Sequence, residues 1–149
     1  MSGESARTAA RARVARHVLG GFYLVTAGIN AGLVLADPSV YRYFADESYL
    51  PFVRRTWTDV VMATPAPWFL ALAAGELVLG VLLLLGGPAA RVGWVGVVVF
   101  HVLLMLFGVG FWLWSVPMLA VLGVAARADW PQLGGRTPLD RPDPDLLRR

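Results

Sequence analysis

Long apolar stretches along this chain are separated by short polar ones, and their lengths are informative. Residues 14–36, "VARHVLGGFYLVTAGINAGLVLA", and residues 67–87, which include "WFLALAAGELVLGVLLLLGG", each reach the roughly 20 apolar residues that a bilayer-crossing helix needs. A third stretch, 92–126, would make roughly 52 Å of helix at 1.5 Å per residue, too long for one crossing of about 30 Å. It has to reverse, and "FGVGFWLWS" is the natural place, with two glycines to loosen the helix and Trp112 and Trp114 suited to a membrane interface. The pattern predicts an all-α membrane protein, a bundle of four transmembrane helices over about 14–36, 67–87, 92–109 and 113–127. Gly86, Gly87 and Pro88 turn the chain between the second and third spans, and Pro117 falls near the first turn of the fourth. The first stretch is too long for a cleavable signal peptide and lacks a small-residue cleavage site.

The polar parts set the orientation. Residues 1–13 form an N-terminal tail, 37–66 a loop between the first two spans, and 128–149 a tail whose Pro, Gly and charge predict disorder. With both ends in the cytoplasm, ten arginines lie inside (Arg7, Arg11, Arg13, Arg16, Arg91, Arg127, Arg136, Arg141, Arg148 and Arg149). Only Arg42, Arg54 and Arg55 lie outside, so the positive-inside rule gives N-in and C-in. The outer segment 37–66 is too long for a plain connection and is dense in aromatics. Within it, "SYLPFVRRTWTDVVMA" reads as one or two amphipathic helices, lying at the interface or folding back as a lid with Tyr49, Arg54, Arg55 and Trp57 as its candidate residues.

Composition agrees with this picture and removes several function classes. The chain of 149 residues is 57% hydrophobic and 15% charged, with mean hydropathy +0.61. It has no cysteine, which excludes a disulfide framework, a thiolate metal site and a thiol relay carried by this chain alone. The pI of about 10.0 comes from arginines scattered over tails and loops rather than gathered on one face, which argues against nucleic-acid binding.

Few polar side chains fall inside the spans, and these carry the candidate chemistry. They are Thr26 and Asn30 in the first, Glu76 in the second and His101 in the third. A carboxyl group in hydrocarbon costs on the order of 2.5–3.5 kcal/mol or more, which Glu76 can lower by a hydrogen bond to His101 or by being protonated. Counting from the inner ends puts Glu76 at roughly 16 Å depth, His101 at roughly 14 Å and Asn30 one to two turns further out, a single polar seam. Glu76 and His101 would form an acid–imidazole pair able to take and release protons beside a ligand; the alternative is interhelical glue. Tyr23 shares the Asn30 face and Trp94 the His101 face, and aromatics beside a buried acid suit a flat apolar ring such as a quinone. The two histidines lie on different helices and at different depths, which is no haem site, and no metal cluster or nucleophile–base set is visible. Small residues around Asn30 (Ala27, Gly28, Ala31 and Gly32), and Ala71, Gly75, Gly80, Gly93 and Gly96 elsewhere, predict close helix packing.

The arginine-bearing start into "HVLGGFYLVTAGIN", the "AGELVLGVLLLLGG" helix and the turn into "PAARVGWVGVV" together resemble the DoxX-like family of small four-helix bacterial membrane proteins, over roughly residues 12–127. The resemblance implies a multi-pass protein of the bacterial cytoplasmic membrane that associates with respiratory or redox subunits. The expected function is a membrane subunit of such a complex, accessory rather than an autonomous enzyme. Its ligand would be a quinone or another lipid-soluble molecule near Glu76 and His101. The alternatives are a structural anchor without ligand and a small proton-coupled transporter.

Overall fold

The computed structural model describes residues 2–134; within it, all regular structure is helical. Four helices are long and apolar enough to cross a membrane. Helix α1 (Ser2–Ala36) leads into a 3-10 turn at Pro38–Tyr41 and a short helix α2 (Pro51–Thr56) that continues as a wider π-type turn to Val61. Helices α3 (Pro65–Leu85), α4 (Gly87–Leu104) and α5 (Val109–Asp129) follow, the last extended by a 3-10 turn over Trp130–Gly134. Proline opens α2 and α3, where a missing N–H costs nothing because the first turn has no acceptor for it.

Glycine decides the two tight reversals. Gly86 (φ +77°) and Gly87 (φ +54°) join α3 to α4, and Gly108 (φ +111°) joins α4 to α5. At Gly108 a Cβ would also lie 2.2 Å from the backbone oxygen of Glu47, so no side chain fits there. The reversal thus falls at the first glycine of "FGVGFWLWS" and not four residues later. Helix α5 begins at Val109, and Pro117 lies in its interior rather than near its first turn. Helix α4 likewise begins at Gly87, five residues before the expected 92. Ordered helix reaches past the expected tail boundary at 128: Asp129 and Leu133 are buried, and Leu133 belongs to the core. The remainder of that tail, 135–149, lies outside the described residues.

Neighbouring helices pack in the ring α1–α3–α4–α5, with α1 against α3 the most extensive pair. The two backbones come close at Gly20 and Gly80, where each added Cβ would meet the other's backbone oxygen at about 3 Å. Gly28, Gly32 and Gly75, which the sequence suggests as packing glycines, face open space instead. The core runs through Tyr23, Leu83, Ala90, Trp94, Val97 and Leu122. Outward, Val25, Leu77, Val99 and Val121 are exposed at the height of the buried carboxyl, so the bundle is apolar on its outside as well as its inside.

The end holding the Gly86 turn is locked by a buried ion pair. Arg16 Nε lies 3.0 Å from Asp129 Oδ2, and Trp94 Nε1 donates to the same oxygen at 3.0 Å. Arg16 also donates to the carbonyl of Leu83, one of the last-turn carbonyls of α3 that lack an intrahelical donor. The opposite end is roofed by residues 37–64, which fold back over the bundle. Tyr41 stacks on Phe69 with ring centres 3.9 Å apart, Ser48 Oγ donates to Leu106 O at 2.6 Å, and Gly110 N donates to Glu47 Oε2 at 3.0 Å. Asp37 caps the first turn of this roof through Ser39 N at 2.9 Å, and the Ser39 side chain, with that backbone bond second, holds its carboxyl below the usual aspartate value.

Candidate functional site

Between the roof and mid-bundle lies a cavity of about 430 Å³ whose walls combine aromatic rings with a few convergent polar groups. Helix α3 supplies Glu76, α1 supplies Tyr23, Thr26 and Asn30, α4 supplies His101, and the 3-10 turn supplies Tyr41. Phe44, Phe100, Phe111 and Trp114 are among its apolar lining, with Leu72 and Leu104.

The polar groups form two hydrogen-bonded sets rather than one pair. In the first, Tyr41 Oη donates to Asn30 Oδ1 at 2.6 Å and Asn30 Nδ2 donates to Glu76 Oε2 at 2.6 Å. An amide suits this middle place because its carbonyl accepts from the phenol while its NH₂ donates to the carboxylate. Thr26 lies beside the same carboxyl, its hydroxyl donating to Tyr23 O at 3.1 Å. In the second set, Tyr23 Oη lies 3.1 Å from His101 Nε2, reaching across the diagonal between α1 and α4. Nδ1 of His101 has no hydrogen-bond partner among the described residues. Tyr41 is buried, and that burial, with the charge of Glu76 as the lesser cause, raises its phenol above the ordinary tyrosine value.

Glu76 and His101 therefore share a cavity but not a hydrogen bond, which corrects the expected acid–imidazole pair. The early start of α4 is the reason. Counted from Gly87 instead of 92, His101 stands about one and a half turns further toward the roof, within reach of Tyr23. Asn30, which residue counting puts one to two turns beyond Glu76, bonds to it directly.

Five of the remaining expected site residues lie elsewhere. Trp94 is buried at the opposite end on Asp129; it shares the His101 face because seven residues are two helical turns, but those turns separate the two by about 10 Å. None of the four lid candidates lines the cavity. Trp57 braces the roof from behind, donating to Tyr41 O at 3.0 Å and stacking on Phe44. Arg54 donates to Ser48 O within the roof, Tyr49 is exposed beside Trp112, and Arg55 is exposed. The residues that do close the cavity from above are Tyr41 and Phe44, both in the aromatic-rich loop. The bonding of Tyr41 to Asn30 leaves no trace in spacing, because Pro38 and the 3-10 turn set where the phenol points.

Among the described residues no three His, Asp or Glu come together to hold a metal ion. Fold and site together define a four-helix bundle, apolar on its outer surface, with an aromatic cavity that holds one carboxyl and one imidazole. Compared with known proteins, the chain matches no family model, no curated protein and no solved structure.

Proposed function

We propose that this protein is a membrane subunit that binds a lipid-soluble ligand in the cavity between Glu76 and His101, as an accessory component of a redox or respiratory assembly. A single observation carries the reading. Polar groups that serve only as interhelical glue are packed against one another, whereas these border about 430 Å³ of space. The flat rings of Phe100, Phe111 and Trp114 suit a planar apolar molecule, and Glu76 and His101 would meet its polar atoms. A quinone has that shape and two carbonyl acceptors, in keeping with the DoxX-like resemblance.

The same proposal places the chain in the bacterial cytoplasmic membrane with both ends inside. It is supported by the arginine bias and by the gathering of Arg16, Arg91 and Arg127 at the end opposite the roof. Glu76→Gln tests the site. Glutamine keeps the shape and an acceptor for Asn30 but removes the titratable proton. The protein is purified gently, its lipids are extracted, and quinone per protein is measured by mass spectrometry before and after incubation with a short-chain quinone. A stoichiometric quinone that falls at least tenfold in a well-folded Glu76→Gln variant supports the reading. Equal retention by both proteins, or no retention by either, refutes it.

A further inference from the structure

Glu76 stands in a wall between two spaces. One is the cavity below the roof, whose Phe22 and Trp114 walls are exposed on the α1–α5 side; the other is a groove of about 500 Å³ on the outside of the bundle between α3 and α4. Leu72, Glu76 and Phe100 line both, and Glu76 is the one polar residue in the groove. The groove is open because α3 has no side chain at Gly75, where an added Cβ would meet nothing within 4 Å. It closes below where the Leu79 side chain lies over Gly96. Its flanks, Val78, Val99 and Leu103, are half-exposed aliphatic side chains, the surface that hydrocarbon covers in a membrane bundle.

Glu76 is 5% exposed and turns its carboxyl to Asn30 on α1, yet the residue also lines this apolar surface, a costly place for an acid. From this shared wall we infer that the α3–α4 groove is a lateral portal. The cavity's ligand is then an uncharged, membrane-dissolved molecule that reaches Glu76 from the hydrocarbon, passing between Leu72 and Phe100. This inference rests on the ligand-binding reading for the identity of the cargo, but the route itself is measurable without any ligand.

The probe is dicyclohexylcarbodiimide, which partitions into the bilayer. The carboxyl O–H of Glu76 adds across one C=N bond to give an O-acylisourea, which rearranges to a stable N-acylurea; no other reactant is consumed. Protein in phospholipid vesicles is labelled and the adduct located by peptide mass spectrometry, alongside a water-soluble carbodiimide. The portal requires that the lipid-soluble reagent label Glu76 at least tenfold faster than the water-soluble one. Gly75→Phe and Val99→Phe, which fill the groove from its two walls, should each slow the labelling at least tenfold. Gly28→Phe, which adds the same bulk at an exposed position lining neither space, should not. Labelling unchanged by both groove variants, faster labelling from water, or no labelling of Glu76 at all would overturn the portal. The two readings fail separately: groove-dependent labelling without retained quinone removes the ligand, and retained quinone with groove-independent labelling removes the route.

Discussion

Replacing Asp129 by Ala should destabilise the bundle more than any other polar substitution in it. Asp129 is 1% exposed and Arg16 6%, so deletion of the carboxylate leaves a guanidinium buried without its counter-charge. Breaking such a pair from one side costs about 3–5 kcal/mol. The indole N–H of Trp94, also buried, loses its acceptor in the same stroke, a penalty of about 1–3 kcal/mol that overlaps with the first. Asp129→Asn keeps the shape and an oxygen for Trp94 while discarding the charge, so it should cost less than Asp129→Ala. Substituting both partners, Arg16→Met with Asp129→Leu, removes both orphans, and the double variant should cost less than the sum of the singles by about 0.5–3 kcal/mol. Because the pair is shielded from water, the coupling should be nearly independent of salt. Reversible unfolding in mixed detergent micelles, followed by circular dichroism, measures the native protein, the four single variants and the double variant. Additive costs, or an Asp129→Ala penalty below about 1 kcal/mol, would show that the pair does not hold the end of α5 against α1.

Two further outcomes follow from the packing and the roof. Gly80→Ala puts a Cβ 2.9 Å from the backbone oxygen of Gly20, which cannot move aside as a side chain would, and should cost about 1–3 kcal/mol in the same assay. Gly28→Ala, Gly32→Ala and Gly75→Ala meet nothing within 4 Å and should be neutral or stabilising by up to about 1 kcal/mol; equal losses at all four positions would contradict the Gly20–Gly80 contact. The raised pKa of Tyr41 fixes a sign for alkaline behaviour: its neutral phenol is favoured in the folded state, so its contribution is full below the ordinary value of 10.0 and is lost as pH rises above it. The stability difference between the native protein and Tyr41→Phe should therefore be flat up to about pH 10 and shrink beyond it. A difference that stays flat well above pH 10 would place the phenol outside the hydrogen-bonded roof, and one that grows with alkalinity would reverse the sign.

The apolar runs by themselves determined four membrane-length helices, since crossing hydrocarbon demands about 20 apolar residues and few other structures satisfy the backbone there. They also singled out Glu76, His101, Asn30, Thr26 and Tyr23, which stand out as polar or amphipathic groups against an aliphatic background, and all five line the cavity. Partnership was another matter. Whether Glu76 meets His101 or Asn30 depends on where α4 begins, and two positive-φ glycines moved that start by five residues. Tyr41 and Asp129 looked like loop and tail residues because they lie outside the long apolar runs, in 37–66 and 128–149. Their burial comes from contacts across the fold, Tyr41 with Phe69 and Asn30, Asp129 with Arg16 and Trp94. The glycines make the same point from the other side. Gly28, Gly32 and Gly75 have the spacing of packing residues, but spacing fixes only the face of a helix, and which face meets a neighbour was decided by the ring of four helices closing on Gly20 and Gly80.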